Sequence, residues 1–281
     1  MQDQLLSQIA DQLVPKYLEF FEWADVWNRP LEEGSAFEWT MLAALASQAE
    51  RRGWAYSFPL LESLRGVSLF TLRNEIPRQH GRQPGHSGRS SQHSLKDCFF
   101  QAFVPKILLS RENAFYSLFR EGVSYHQIMS NIPYQKRPDI IILPGHPTPG
   151  FPKLVQKDAY VDFAFQLAPS TSISGRVRVL NSPSVSYQHR IPQDGLNLPI
   201  AGIVECSVNK SLATATAQLE GYIKVFSLPT EQSPVFLVTG NELPPGRWRK
   251  AAIPLTSTDS RLLERSFRLA ASLALDTFGI T

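Results

Sequence analysis

Two carboxylates stand out because each adjoins a very apolar run. Asp139 directly follows Pro138 at the head of "RPDIIIL" (137–143), and Glu205 lies near the end of "PIAGIVECSV" (199–208). A continuous apolar run of this kind is expected as a central strand covered on both faces, where a carboxylate without compensation is costly. If the two strands are neighbours, the two acids together offer the hard oxygen ligands that Mg²⁺ prefers, an ion that keeps several waters for chemistry. Such an ion would activate water and neutralise charge on a phosphodiester. Lys210 follows Glu205 by five residues. It has the opposite parity in a regular strand, so it reaches the acids only if the strand has ended or bulged by Asn209.

The elements that must position these residues are read from periodicity. Residues 3–27 carry apolar positions at helical spacing, divided near Pro15. "SAFEWTMLAALASQAERRG" reads as a strong helix, with Ser35 as cap, Glu38 as capping-box partner and Gly53 as stop. Helices are expected from Leu95 to about Leu109 and from Arg111 to Gly122. The second half is β-rich, with strands in "RPDIIIL", "AYVDFAFQL", "SGRVRVL", "PIAGIVECSV" and "PVFLVTG". "LATATAQLEGYIKVF" and "DSRLLERSFRLAASLALDTFG" read as helices. Alternation of strand and helix predicts an α/β fold, a central mixed β-sheet flanked by helices. The organisation expected is an N-terminal helical segment (1–33) and one domain (34–281), with a basic loop at 76–96 and a β-rich insertion at 150–198.

Four pieces in this order resemble the PD-(D/E)XK nuclease superfamily. They are Pro138-Asp139 on one strand, Glu205 in "IVECS", the helix "EGSAFEWTMLAALASQAERRGWAY", and Gln218 with Tyr222 in "QLEGY". The resemblance implies a restriction-endonuclease-like fold and a Mg²⁺-dependent endonuclease acting on DNA, of the type II restriction kind and working as a homodimer. It implies Asp139 and Glu205 as metal ligands and Glu38 as a further carboxylate of the site. Gln218 and Tyr222 would support the site and contact substrate. The family pattern has lysine two residues after the glutamate, where this chain has Ser207. Lys210 takes over that role, another base replaces it, or the protein is a binding or assembly module that no longer cleaves.

Charge and composition are compatible with a polyanionic partner. The net charge is +3, but residues 1–50 carry nine acids and two bases, leaving the remainder at +10. The loop at 76–96 holds Arg78, Arg82 and Arg89 and no acid, and reads either as a solvated linker or as an arm for a phosphate backbone. Arg247 and Arg249 in "PPGRWRK" are candidate phosphate contacts. No apolar run is long enough to span a bilayer and the first residues lack a basic, cleavable leader, so a cytoplasmic protein without a membrane partner is expected. Cys98 and Cys206 have no metal-site spacing and read as free thiols. Walker, Gly-x-Ser-x-Gly and Gly-x-Gly-x-x-Gly motifs are absent from the sequence.

Overall fold

The computed structural model describes residues 2–15, 33–59, 105–120, 138–149, 153–155, 160–167, 171–178, 187–189, 200–208, 212–240, 242, 246 and 248–281. The chain is an α/β fold, a mixed β-sheet with helices on both faces. Its organising strand is β9 (Gly202–Ser207), in which all six residues are buried. On one edge β9 runs antiparallel to β4 (Ile140–Pro147), with Ile140 opposite Val204, Ile141 opposite Ile203 and Ile142 opposite Gly202. On the other edge it runs parallel to β10 (Val235–Gly240), which in turn runs parallel to β11 (Arg249–Ile253). A parallel pair needs a crossover, and the helix α3 (Leu212–Val225) supplies it between β9 and β10.

Beyond β4 the sheet continues through β3 (Ala114–Arg120), β2 (Ile107–Arg111) and β1 (Ala55–Ser57), all antiparallel. The far half of β4 leaves β9 and pairs instead with β6 (Tyr160–Leu167), at Gly145, His146 and Pro147. Through β6 hang β5 (Lys153–Val155), β7 (Thr171–Arg178) and β8 (Tyr187–His189). β4 therefore belongs to two ladders along one edge.

Three helices cover the face opposite α3: α1 (Gln2–Leu13), α2 (Glu33–Arg51) and α4 (Ser260–Phe278). α2 is apolar on almost every side because it is enclosed; Phe37, Met41, Leu42 and Leu45 are fully buried. α1 lays Leu6, Ile9 and Leu13 into the same core, and Thr40 Oγ1 donates to Leu6 O at 3.1 Å. α2 stops at Gly53, whose φ of +86° is left-handed, with Trp54 N donating to Ala49 O and Gly53 N to Glu50 O. α4 meets β9 through Gly202. A Cβ there would lie 2.6 Å from the Phe278 ring, so only glycine lets the helix approach this closely.

Two local expectations are corrected. Residues 107–111 and 114–120 are strands of a hairpin, not helices. Their apolar residues satisfy either period, and pairing of Leu118, Phe119 and Arg120 with β4 decides the outcome. Glu112 takes a φ of +54° in the two-residue turn. α2 also begins at Glu33, so Ser35 lies within the helix rather than capping it, and Glu38 is not part of a capping box. Residues 95–104 and 121–122 lie outside the described residues.

Candidate active site

The β4–β9 register sets the centre of the site. Carried one row beyond Ile140 and Val204, it brings Asp139 beside Glu205. Paired residues of adjacent strands face the same side, so both carboxylates rise from one face of the sheet. Asp139 closes the ladder with its side chain, as Oδ2 accepts the Cys206 backbone N–H at 2.7 Å. Glu205 is 0% exposed, and Tyr222 of α3 donates its hydroxyl to Oε2 at 2.8 Å. Burial, and then the nearby negative charges of Glu205 and Asp139, hold the Tyr222 hydroxyl far above its ordinary pKa. The phenol therefore stays a proton donor to the glutamate throughout the ordinary pH range.

Gln218 precedes Tyr222 by one turn and shares its helix face. Its Oε1 is buried and has no hydrogen-bond partner among the described residues. An acceptor shielded from water without a donor is costly and is usually explained by a water or ligand. Ser207 lies two residues after Glu205, on the same strand face, and is buried. β9 ends at Ser207, so strand alternation no longer dictates the direction of Lys210. Lys210, Arg78, Arg82, Arg89 and Arg247 lie outside the described residues.

Glu38 has a different setting. Arg120 Nε donates to its Oε2 at 2.7 Å, with the two side chains only 8% and 12% exposed, and the guanidinium lies 5.1 Å from the Trp39 ring centre. Arg120 shares a row with Ile140 and Val204, so it leaves the sheet on the side opposite Asp139 and Glu205. Arg249 likewise shares the row of Phe236 and Val204, and its Nη1 lies 3.5 Å from Thr277 Oγ1 of α4. Lys250 shares the row of Leu237 and Glu205 instead. Alternation within "RWRK" would have singled it out as the basic residue on the acids' side. Its Nζ donates to Gly246 O at 2.9 Å.

Asp139 and Glu205 offer two adjacent oxygen donors of the kind a magnesium ion takes, and would be the residues to hold such an ion. Among the described residues there is no group of three or more His, Cys, Asp or Glu side chains placed to hold a metal, and no helix is long and apolar enough to cross a membrane. Cys206 is buried and forms no disulfide among the described residues. Compared with known proteins, the chain matches no protein-family model, no curated protein and no solved structure.

Proposed function

We propose that the chain is a Mg²⁺-dependent endonuclease that hydrolyses DNA phosphodiester bonds, on a core resembling that of restriction endonucleases. The observation that carries this reading is the juxtaposition of Asp139, immediately before β4, and Glu205 of β9 in one row of the sheet, with Tyr222 donating to Glu205. Asp139 and Glu205 would hold the ion. When bound, the ion supplies an activated water and charge neutralisation at the scissile phosphate. Cys206 N and Tyr222 each fix one carboxylate oxygen, which holds the two acids in place. Gln218 brings an unsatisfied acceptor to the same helix, and the basic residues of 51–281 favour a polyanion. A homodimer acting on duplex DNA is the assembly that suits cleavage of both strands.

A second reading is favoured by Ser207. A hydroxyl occupies the buried position where the ammonium of a hydrolytic site would stand, and the protein would then bind DNA without cutting it. Purified chain with duplex DNA of mixed sequence and Mg²⁺ separates the two. Cleavage that disappears in Asp139→Ala and Glu205→Ala supports hydrolysis. Retardation of DNA with no cleavage under any divalent metal supports the binding module, and cleavage unaffected by both variants overturns the site.

A further inference from the structure

α4 carries a second feature that its packing does not use. Its buried side presents Leu263, Phe267, Ala270, Ala271 and Ala274 to the core. At 100° per residue the opposite side is centred on Leu269, with Leu262, Leu273 and Asp276 within half a turn's width of it. Leu262, Leu269 and Leu273 are 44%, 61% and 40% exposed, and they are the exposed large hydrophobic residues among the described residues. Leucine on the outermost line of an amphipathic helix is opposed to the usual polar outer face. An apolar line of this length, about 16 Å from Leu262 to Leu273 at 1.5 Å per residue, is characteristic of an interaction surface.

The charges beside the leucines say which partner fits. Arg261 and Arg265 lie along one flank of the N-terminal half, exposed and without partners among the described residues. On the same flank, at the C-terminal end, Asp276 gives Oδ1 to Arg52 and keeps its side chain 55% exposed. A two-fold axis beside Leu269, perpendicular to both helices, turns a second α4 antiparallel to the first and keeps each flank on its own side. Asp276 of one copy then falls between Arg261 and Arg265 of the other, Leu262 meets Leu273, and Leu269 meets its own copy. The parallel alternative would carry the flanks to opposite sides and bring no aspartate level with an arginine.

We infer that the outer face of α4 is a homodimer interface, in which two copies of this chain pack antiparallel about Leu269. The contact is isologous, closes on itself, and aligns the two helix dipoles favourably. It deepens the proposed function, resting on that reading for the purpose of pairing, but the association itself needs neither DNA nor metal.

Sedimentation equilibrium of the full chain without DNA, over about 1–100 µM, should show mass rising toward that of two chains. Leu269→Glu should weaken association at least tenfold while the thermal midpoint stays put, since the residue is mostly exposed. In a Cys98→Ser background, Leu269→Cys should form an intermolecular disulfide on oxidation. Leu262→Cys should not, because its own copy lies about 21 Å away in the antiparallel pair. Asp276→Arg and the double variant Arg261→Glu/Arg265→Glu should each associate poorly alone and recover when mixed. A monomer across the whole range, association indifferent to Leu269→Glu, or Leu262→Cys cross-linking as readily as Leu269→Cys would each overturn the interface. A dimer that cuts no DNA supports the interface and counts against hydrolysis; a monomer that cuts overturns the interface alone.

Discussion

Tyr222 shows how one side chain sets the character of the site. It is fully buried, and its hydroxyl is the donor that accompanies Glu205 into the interior. Tyr222→Phe removes that donor from a buried carboxylate, a loss of about 1–3 kcal/mol in denaturant titration. The pH dependence has a definite sign. The hydroxyl titrates higher in the folded chain than its ordinary 10.0, so the unfolded chain sheds this proton first as pH rises. This contribution to stability is therefore full below pH 10 and is lost above it, and the alkaline fall should be shallower in Tyr222→Phe. On the proposed function, Glu205→Gln keeps the shape and removes the charge. Mg²⁺-dependent cleavage should then drop by about 10²-fold or more, as for loss of a preorganised charge in an active site.

Elements carry the next predictions. Glu38 and Arg120 bridge α2 and β3 out of water. Removing one partner takes this ion pair from the other, so Arg120→Met should cost about 3–5 kcal/mol, and adding Glu38→Leu should recover much of it. A catalytic Glu38 would behave differently: Glu38→Gln would abolish cleavage while the melting temperature changed little. Gly202→Ala drives a methyl into Phe278 and should destabilise by about 1–3 kcal/mol, with relief on adding Phe278→Leu. The elements also show what a reader of the chain could foresee. β4, β9 and β10 were legible because their apolar runs are short, β-branched and bounded by turns. α2 and α4 were legible because nineteen residues of helical period admit no other element. The β2–β3 hairpin was not, since Ile107, Leu109, Leu118 and Phe119 fit a helix as well as a strand and their partner strand lies far along the chain. The Asp139–Glu205 pairing was inferable from the two strands, whereas the Glu38–Arg120 pair joins residues 82 apart by a contact that no local pattern encodes.

The whole molecule separates its charged groups by sheet face. Asp139, Glu205, Tyr222 and Lys250 belong to the α3 side, and Glu38, Arg120 and Arg249 to the side of α2 and α4. On the proposed function, a polyanion reaching the carboxylates would do so from the α3 side or from the sheet end. Binding to duplex DNA in Ca²⁺ should weaken steeply with salt, by about 10³-fold or more between 50 and 200 mM if six or more phosphates are engaged. A flat salt dependence would remove DNA from consideration as partner.

The double membership of β4 bears on the order in which the sheet can assemble. Its far half pairs with β6 across a short stretch of chain, Gly145 with Leu167, while its near half waits for Gly202 to Val204. Closing the longer loop costs more chain entropy and brings no contact until it is complete, so chain entropy favours pairing of the local strands ahead of β9. During synthesis the β1–β4 strands and the β5–β8 strands leave the ribosome before the strand that separates β4 from β10 exists. Until β9 arrives, the near half of β4 is an unpaired apolar edge of isoleucines, the segment on which a nascent chain would need protection from aggregation. The same late step that buries this edge brings the two carboxylates together, so the candidate site exists only in a chain whose sheet is already closed.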